Sequence, residues 1–113
     1  MGLPMGLFFG VAYNGAMQLN DKQKKYLRGL AHDLKPVVYV GNSGVTPGVT
    51  AELDQNLEHH ELIKVKLRVG GREARDTAIG LVLDQSRAEL IGRIGNIAIL
   101  YRRRKEKPVI ALP

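Results

Sequence analysis

Lys35-Pro36-Val37-Val38-Tyr39-Val40-Gly41-Asn42-Ser43-Gly44-Val45-Thr46-Pro47 is the stretch that decides the fold. Residues 37–40 are a short apolar run that suits a buried strand in the middle of a sheet. Gly41 and Gly44 bracket a tight turn. Thr46 followed by Pro47 is a helix start, with the threonine as N-cap and the proline at the first helical position. A strand that passes through a glycine turn into a helix leaves backbone N–H groups unpaired. Those donors and the helix dipole suit phosphate oxygens.

Upstream, residues 21–35 read as a first helix capped by Asn20 or Asp21. Leu27, Leu30, Ala31 and Leu34 recur at helical spacing, and Pro36 ends the run. Lys24, Arg28 and Lys35 form a basic stripe beside the apolar one. Downstream, a second helix is expected over about 47–59, with Val49, Leu53 and Leu57 on one face. Leu62 to Val69 is the clearest strand, because Ile63, Val65, Leu67 and Val69 alternate with Lys64, Lys66 and Arg68. Gly70-Gly71 turns the chain into a third helix over about 72–86 that buries Ala78, Ile79, Val82 and Leu83. Residues 88–94 and 97–101 form two strands joined at Gly95-Asn96. Val109 to Leu112 is a short further strand or simply a tail. The order α-β-α-β-α-β-β predicts an α/β (α+β) domain of two layers with a four-stranded mixed sheet. Its first strands are parallel and its final hairpin is antiparallel.

The 113 residues suffice for one domain with a modest core. The expected organisation is an extension over 1–16, a domain over 17–104 and a basic, then apolar, tail over 105–113. Residues 1–16 carry no charge and four glycines. They suit neither a secretory leader nor a membrane span, and are expected to be dispensable and poorly ordered. With no cysteine there is no disulfide, thiolate metal site or cysteine nucleophile, which suits a reducing cytoplasm.

The net charge is +6 and the pI about 9.8, a balance that favours a nucleic-acid partner. The charge is clustered: +3 over residues 21–35, +4 over 62–75 and +4 over 102–107, against −4 over 45–61. One basic surface with an acidic patch elsewhere is expected. The glycine turn completes neither a P-loop nor a dinucleotide fingerprint. What remains is a backbone clamp of the kind found in Gly-x-x-Gly RNA-binding loops. His32, His59 and His60 lack the partners a metal needs, Ser43 has no evident base, and no catalytic constellation emerges. Tyr26, Tyr39 and Tyr101 could stack on bases, but core packing is the favoured reading, so the surface is expected to read backbone and shape.

Five ordered motifs also resemble the CRM (chloroplast RNA splicing and ribosome maturation) RNA-binding domain. They are Leu27-Arg28-Gly29-Leu30-Ala31-His32, Leu34-Lys35-Pro36-Val37-Val38, the Gly-x-x-Gly-Val-Thr-Pro loop, His60-Glu61-Leu62-Ile63-Lys64-Val65-Lys66 and Ile94-Gly95-Asn96-Ile97-Ala98-Ile99-Leu100-Tyr101-Arg102. The resemblance, to the stand-alone bacterial YhbY-type members, covers residues 18–102. It implies a fold like the C-terminal domain of translation initiation factor three and association with precursors of the large ribosomal subunit. By position, Gly41 and Gly44 match the loop glycines, and Lys35, Lys64 and Lys66 match basic positions. Many members have a loop lysine where this chain has Asn42 and Ser43, and Tyr101-Arg102-Arg103 replaces a common Tyr-Arg-Pro ending.

The expected function is therefore non-catalytic RNA binding, as a cytoplasmic monomer with no cofactor, metal, membrane or small-molecule substrate. The expected RNA contacts are Lys24, Arg28, Lys35, Gly41, Asn42, Ser43, Gly44, Val45, Lys64, Lys66, Arg102, Arg103 and Arg104. The alternatives are a protein-interaction module using the acidic second helix or the apolar N-terminus, and an enzyme holding a phosphorylated ligand in the glycine loop.

Overall fold

The computed structural model describes residues 18–113, so the expected extension over 1–16 lies outside the described residues. The elements are α1 (Asp21–Ala31), β1 (Pro36–Val40), α2 (Pro47–His60), β2 (Leu62–Leu67), α3 (Arg72–Ser86), β3 (Glu89–Ile94) and β4 (Ile97–Tyr101). They form one mixed sheet in the order β1-β2-β4-β3. β1 and β2 pair in parallel through the α2 crossover, and β4 runs antiparallel to both β2 and β3. Fold class and element order are as the sequence predicts.

Helices lie on both faces. α2 and α3 cover the face of Val38, Val40, Ile63, Val65, Leu67, Ala98 and Leu100. Leu53 and Leu57 close this core from α2, each fully buried and each contributing roughly 1.5–3 kcal/mol. α1 packs Leu27 and Ala31 on the opposite face, against Leu62, Ile91, Ile99 and Tyr101. The two expected layers thus gain a partial third.

Two local expectations are corrected. α1 ends at Ala31 rather than near residue 35, because the chain must turn before Pro36 enters β1. Leu34 therefore leaves the helix and, like Leu30, is exposed. β1 is an edge strand, not a central one. α2 covers one of its faces, so Val38 and Val40 are buried, whereas Val37 and Tyr39 are 41% and 44% exposed. The N-cap of α1 is Asn20, in a reciprocal pair of bonds with Gln23 of 2.8 and 3.1 Å.

Glu61 ends α2 with φ 66°, a strained conformation for a side chain with a Cβ, and it is fully buried. Its carboxylate accepts three backbone N–H groups from the C-terminal segment: Arg104 at 2.7 Å, Val109 at 2.9 Å and Ile110 at 2.8 Å. Those bonds hold Ile110 and Leu112 against the α1 core, and Val109 to Leu112 form no strand. Glu61 is therefore withdrawn from the acidic patch that its charge suggested.

Charge-assisted bonds of this kind are individually worth about 1.5–3 kcal/mol. Glu61→Ala should cost about 2–4 kcal/mol in urea unfolding and speed amide exchange at Val109 and Ile110. Unchanged exchange there would remove the carboxylate from this role. Tyr101, 1% exposed, has its phenol pushed above the ordinary value of 10.0 by burial and, second, by the Glu61 charge. An acid with a raised folded pKa favours the fold below its unfolded pKa and loses that contribution as pH rises through the folded one. Stability should fall above about pH 10, and Tyr101→Phe should flatten that fall in unfolding curves across the alkaline range.

Candidate nucleic-acid interface

The glycine loop is a closed turn. Gly44 N–H donates to Gly41 C=O at 2.9 Å, and Thr46 N–H donates to Gly44 C=O at 3.1 Å. Gly44 takes φ 78°, a region that favours glycine, and a Cβ there would meet nothing within 4 Å. Thr46 caps α2 by accepting from Val49 N–H at 3.2 Å, with Pro47 in the first helical position. Among the backbone amides of residues 42–45, that of Gly44 is thus used internally. Those of Asn42, Ser43 and Val45 have no protein acceptor among the described residues.

The loop shares its end of the sheet with two others. Arg68 N–H donates to Val40 C=O at 2.7 Å, and Leu67 N–H donates to Asn96 C=O at 2.7 Å. These bonds bring together Gly41–Gly44, Arg68–Gly71 and the Gly95-Asn96 turn. On the α1 side of the sheet, Tyr39 is in register with Lys66, and Lys66 with Ile97. α1 packs over the other end of that face, which leaves Tyr39, Arg68 and Ile94 exposed at this one. The Arg68 guanidinium carbon lies 4.4 Å from the centre of the Tyr39 ring. On the α3 side a cleft of about 390 Å³ is lined by loop atoms, Val69, Ala74, Leu81 and the Glu73 side chain. Cations therefore flank the loop on one side and a carboxylate on the other.

The remaining residues expected to form the site are spread over the molecule. Lys35 precedes β1 and stands at its opposite end, about 20 Å along the strand from Gly41. Lys64 shares that end, in register with Pro36, and its Nζ donates to His32 C=O at 3.3 Å. Arg28 lies across β3: it donates to Ile91 C=O at 3.2 Å, and its stem fills the space over Gly92, where a Cβ would meet Arg28 Cδ at 3.2 Å. Lys24 is half-buried one turn earlier on α1.

Arg102 is committed to the acidic helix, through Asp54 at 2.9 Å, Glu58 at 3.5 Å and the Ser86 carbonyl at 2.9 Å. It joins α2 to α3 and does not extend the basic surface. Arg104 is half-buried beside Asp54 and Glu58, which leaves Arg103 as the exposed one of the three arginines. Arg93 is engaged by Asp76, whose carboxyl that guanidinium holds below the ordinary carboxylate value.

Two residues of the loop end, Arg68 and Tyr39, lie outside the RNA contacts that the sequence predicts. Arg68 stands in the alternation Lys64-Lys66-Arg68, which is the signal that could have placed it beside Lys66. The scarcity of aromatic residues favours core packing for Tyr39; only sheet order, which puts β1 at the edge, exposes it. Among the described residues, no group of three His, Cys, Asp or Glu side chains is placed to hold a metal ion. Nor is any described helix long and apolar enough to cross a membrane.

Comparison with known proteins places the chain in a family. Residues 19–102 match the CRS1 / YhbY (CRM) domain. An RNA-binding protein of Haemophilus influenzae is 44% identical over 91 residues, spanning 80% of this chain and 92% of its own. The Bacillus subtilis "Probable RNA-binding protein YqeI" is 37% identical over 95 residues, spanning 84% and 99% respectively. The solution structure of a hypothetical Staphylococcus aureus protein, itself described as a candidate RNA binder, superposes with a TM-score of 0.72. It is 34% identical and is covered in full by 85% of this chain. A match over nearly the whole described domain, carried by fold and motifs alike, makes this chain a member of the CRS1/YhbY (CRM) domain family.

Proposed function

We propose that this chain is a non-catalytic RNA-binding protein that docks on structured ribosomal RNA in precursors of the large ribosomal subunit. The observation that carries the reading is the loop end of the sheet. There the Asn42, Ser43 and Val45 amides lack protein acceptors among the described residues, on the same end of the sheet as Lys66 and Arg68. Backbone donors with flanking cations suit a phosphate, and the relatives' names supply RNA as its source. The ribosomal destination rests on the resemblance to stand-alone bacterial members. Arg103, Lys35 and the exposed lysines of α1 would add sequence-independent attraction that weakens with salt. The rival protein-interaction reading loses part of its basis, because Arg102 already neutralises some of the acidic face.

Gly44 supplies the test. Asparagine and aspartate both tolerate positive φ at a cost of about 1 kcal/mol, and there is room for either side chain. Only aspartate puts a carboxylate where a phosphate would sit. In a sucrose gradient at low and moderate salt, wild type and Gly44→Asn should travel with large-subunit precursors while Gly44→Asp stays at the top. Equal migration of the two variants would sink the loop as the contact, and a wild type that never leaves the top would sink the ribosomal destination. Arg102→Ala should lose about 1 kcal/mol of stability, modest because its partners are exposed, and migrate like wild type.

A further inference from the structure

We propose that Tyr39 is a stacking platform for one unpaired base of the RNA strand whose phosphate rests on the Gly41–Gly44 loop. The proposal rests on the RNA reading above and deepens it, because it requires a single-stranded element at this site. Tyr39 lies on the edge strand two residues before Gly41 and is 44% exposed. α1 covers the other end of this sheet face, so the apolar core of that face does not reach the ring. A large aromatic in that position gains little from the core.

Its neighbours give the ring a ligand. The Arg68 guanidinium lies over it at 4.4 Å, which fixes its orientation and brings a cation to the place a phosphate would approach. Lys66 stands beside it in register, and Ile97 and the 66% exposed Ile94 continue the same face as an apolar floor. Tyr39 is two residues from Gly41, a span of about 7 Å along the strand. That is the reach from a phosphate to the base of its own or the adjacent nucleotide. A base paired and stacked in a duplex cannot offer its face to the ring, so the occupant is an unpaired nucleotide.

The test uses the full chain and three probes in fluorescence anisotropy: a short unstructured RNA, an abasic ribose-phosphate strand of the same length, and the corresponding duplex. Wild type should bind the unstructured RNA most tightly. Tyr39→Ala should weaken that binding about tenfold and leave the abasic strand unchanged, while Tyr39→Phe stays close to wild type. Gly44→Asp should weaken binding to both strands. The chain contains no tryptophan, so Tyr39→Trp would be its single indole, and its fluorescence should be quenched by the RNA and not by the abasic strand. Tyr39→Ala binding the RNA as wild type does, or losing the same factor on both strands, would overturn the stacking role and leave the loop reading intact. A wild type that binds none of the three probes and does not travel with large-subunit precursors overturns the RNA reading and this proposal with it; one that travels with the precursors but binds the duplex best overturns this proposal alone.

Discussion

β4 occupies the slot between β2 and β3, and every other contact is arranged around it. The α3 crossover leaves β2 and β3 one strand apart and parallel in direction, so both present unpaired edges toward the gap. β4 returns from the Gly95-Asn96 turn and pairs with both, with Ala98, Ile99, Leu100 and Tyr101 buried. Ala98 and Leu100 face the α2–α3 core, while Ile99 and Tyr101 face α1. The two helical layers therefore close on one strand. Because α1 is drawn to the β2–β4–β3 side, β1 is left at the edge with one face open.

That asymmetry organises the charge. A net +6 suggests a broadly cationic surface, yet the cations divide by what they touch. Arg102 is tied to Asp54, Glu58 and the end of α3, Arg28 to the backbone of β3, Lys64 to the end of α1, and Arg93 to Asp76. Exposed ion pairs among these contribute little each. The Glu61 carboxylate, out of water and accepting three N–H groups, is the stronger fastening, and it holds the C-terminal segment over the α1 core. Cations consumed by the fold are not available to a partner. Lys66, Arg68 and Arg103 are placed differently.

The candidate interface lies where the C-terminal ends of parallel β1 and β2 run into α2 and α3. In parallel sheets such ends collect loops and helix N-termini, and hence unpaired N–H groups, which is why ligands gather there. Here the two glycine loops do the turning, and the strand face beside them supplies an aromatic ring and two cations. Backbone donors bind phosphate without regard to sequence, whereas a ring adds a requirement for an accessible base. In the function proposed above, a single edge strand joins the two kinds of recognition.

Local chemistry was legible in the chain itself. The Thr46-Pro47 start, the Gly44 turn, the alternation through β2 and the Gly95-Asn96 hairpin each follow from dihedral limits or side-chain period, which neighbours in sequence impose on one another. The element order and the fold class followed from these, and the family from the resemblance of five ordered motifs. Tertiary structure decided what depends on residues far apart in the chain. The length of α1, the edge position of β1 and the exposure of Tyr39 turn on where α1 packs and on β4 taking the central slot. The burial of Glu61 turns on a segment more than forty residues downstream. A run of arginines reads as free charge until the fold brings Asp54 and Glu58 beside Arg102. Sequence determines which groups can bind a phosphate; only packing decides which of them are left without a partner, because pairing is a property of distance in space.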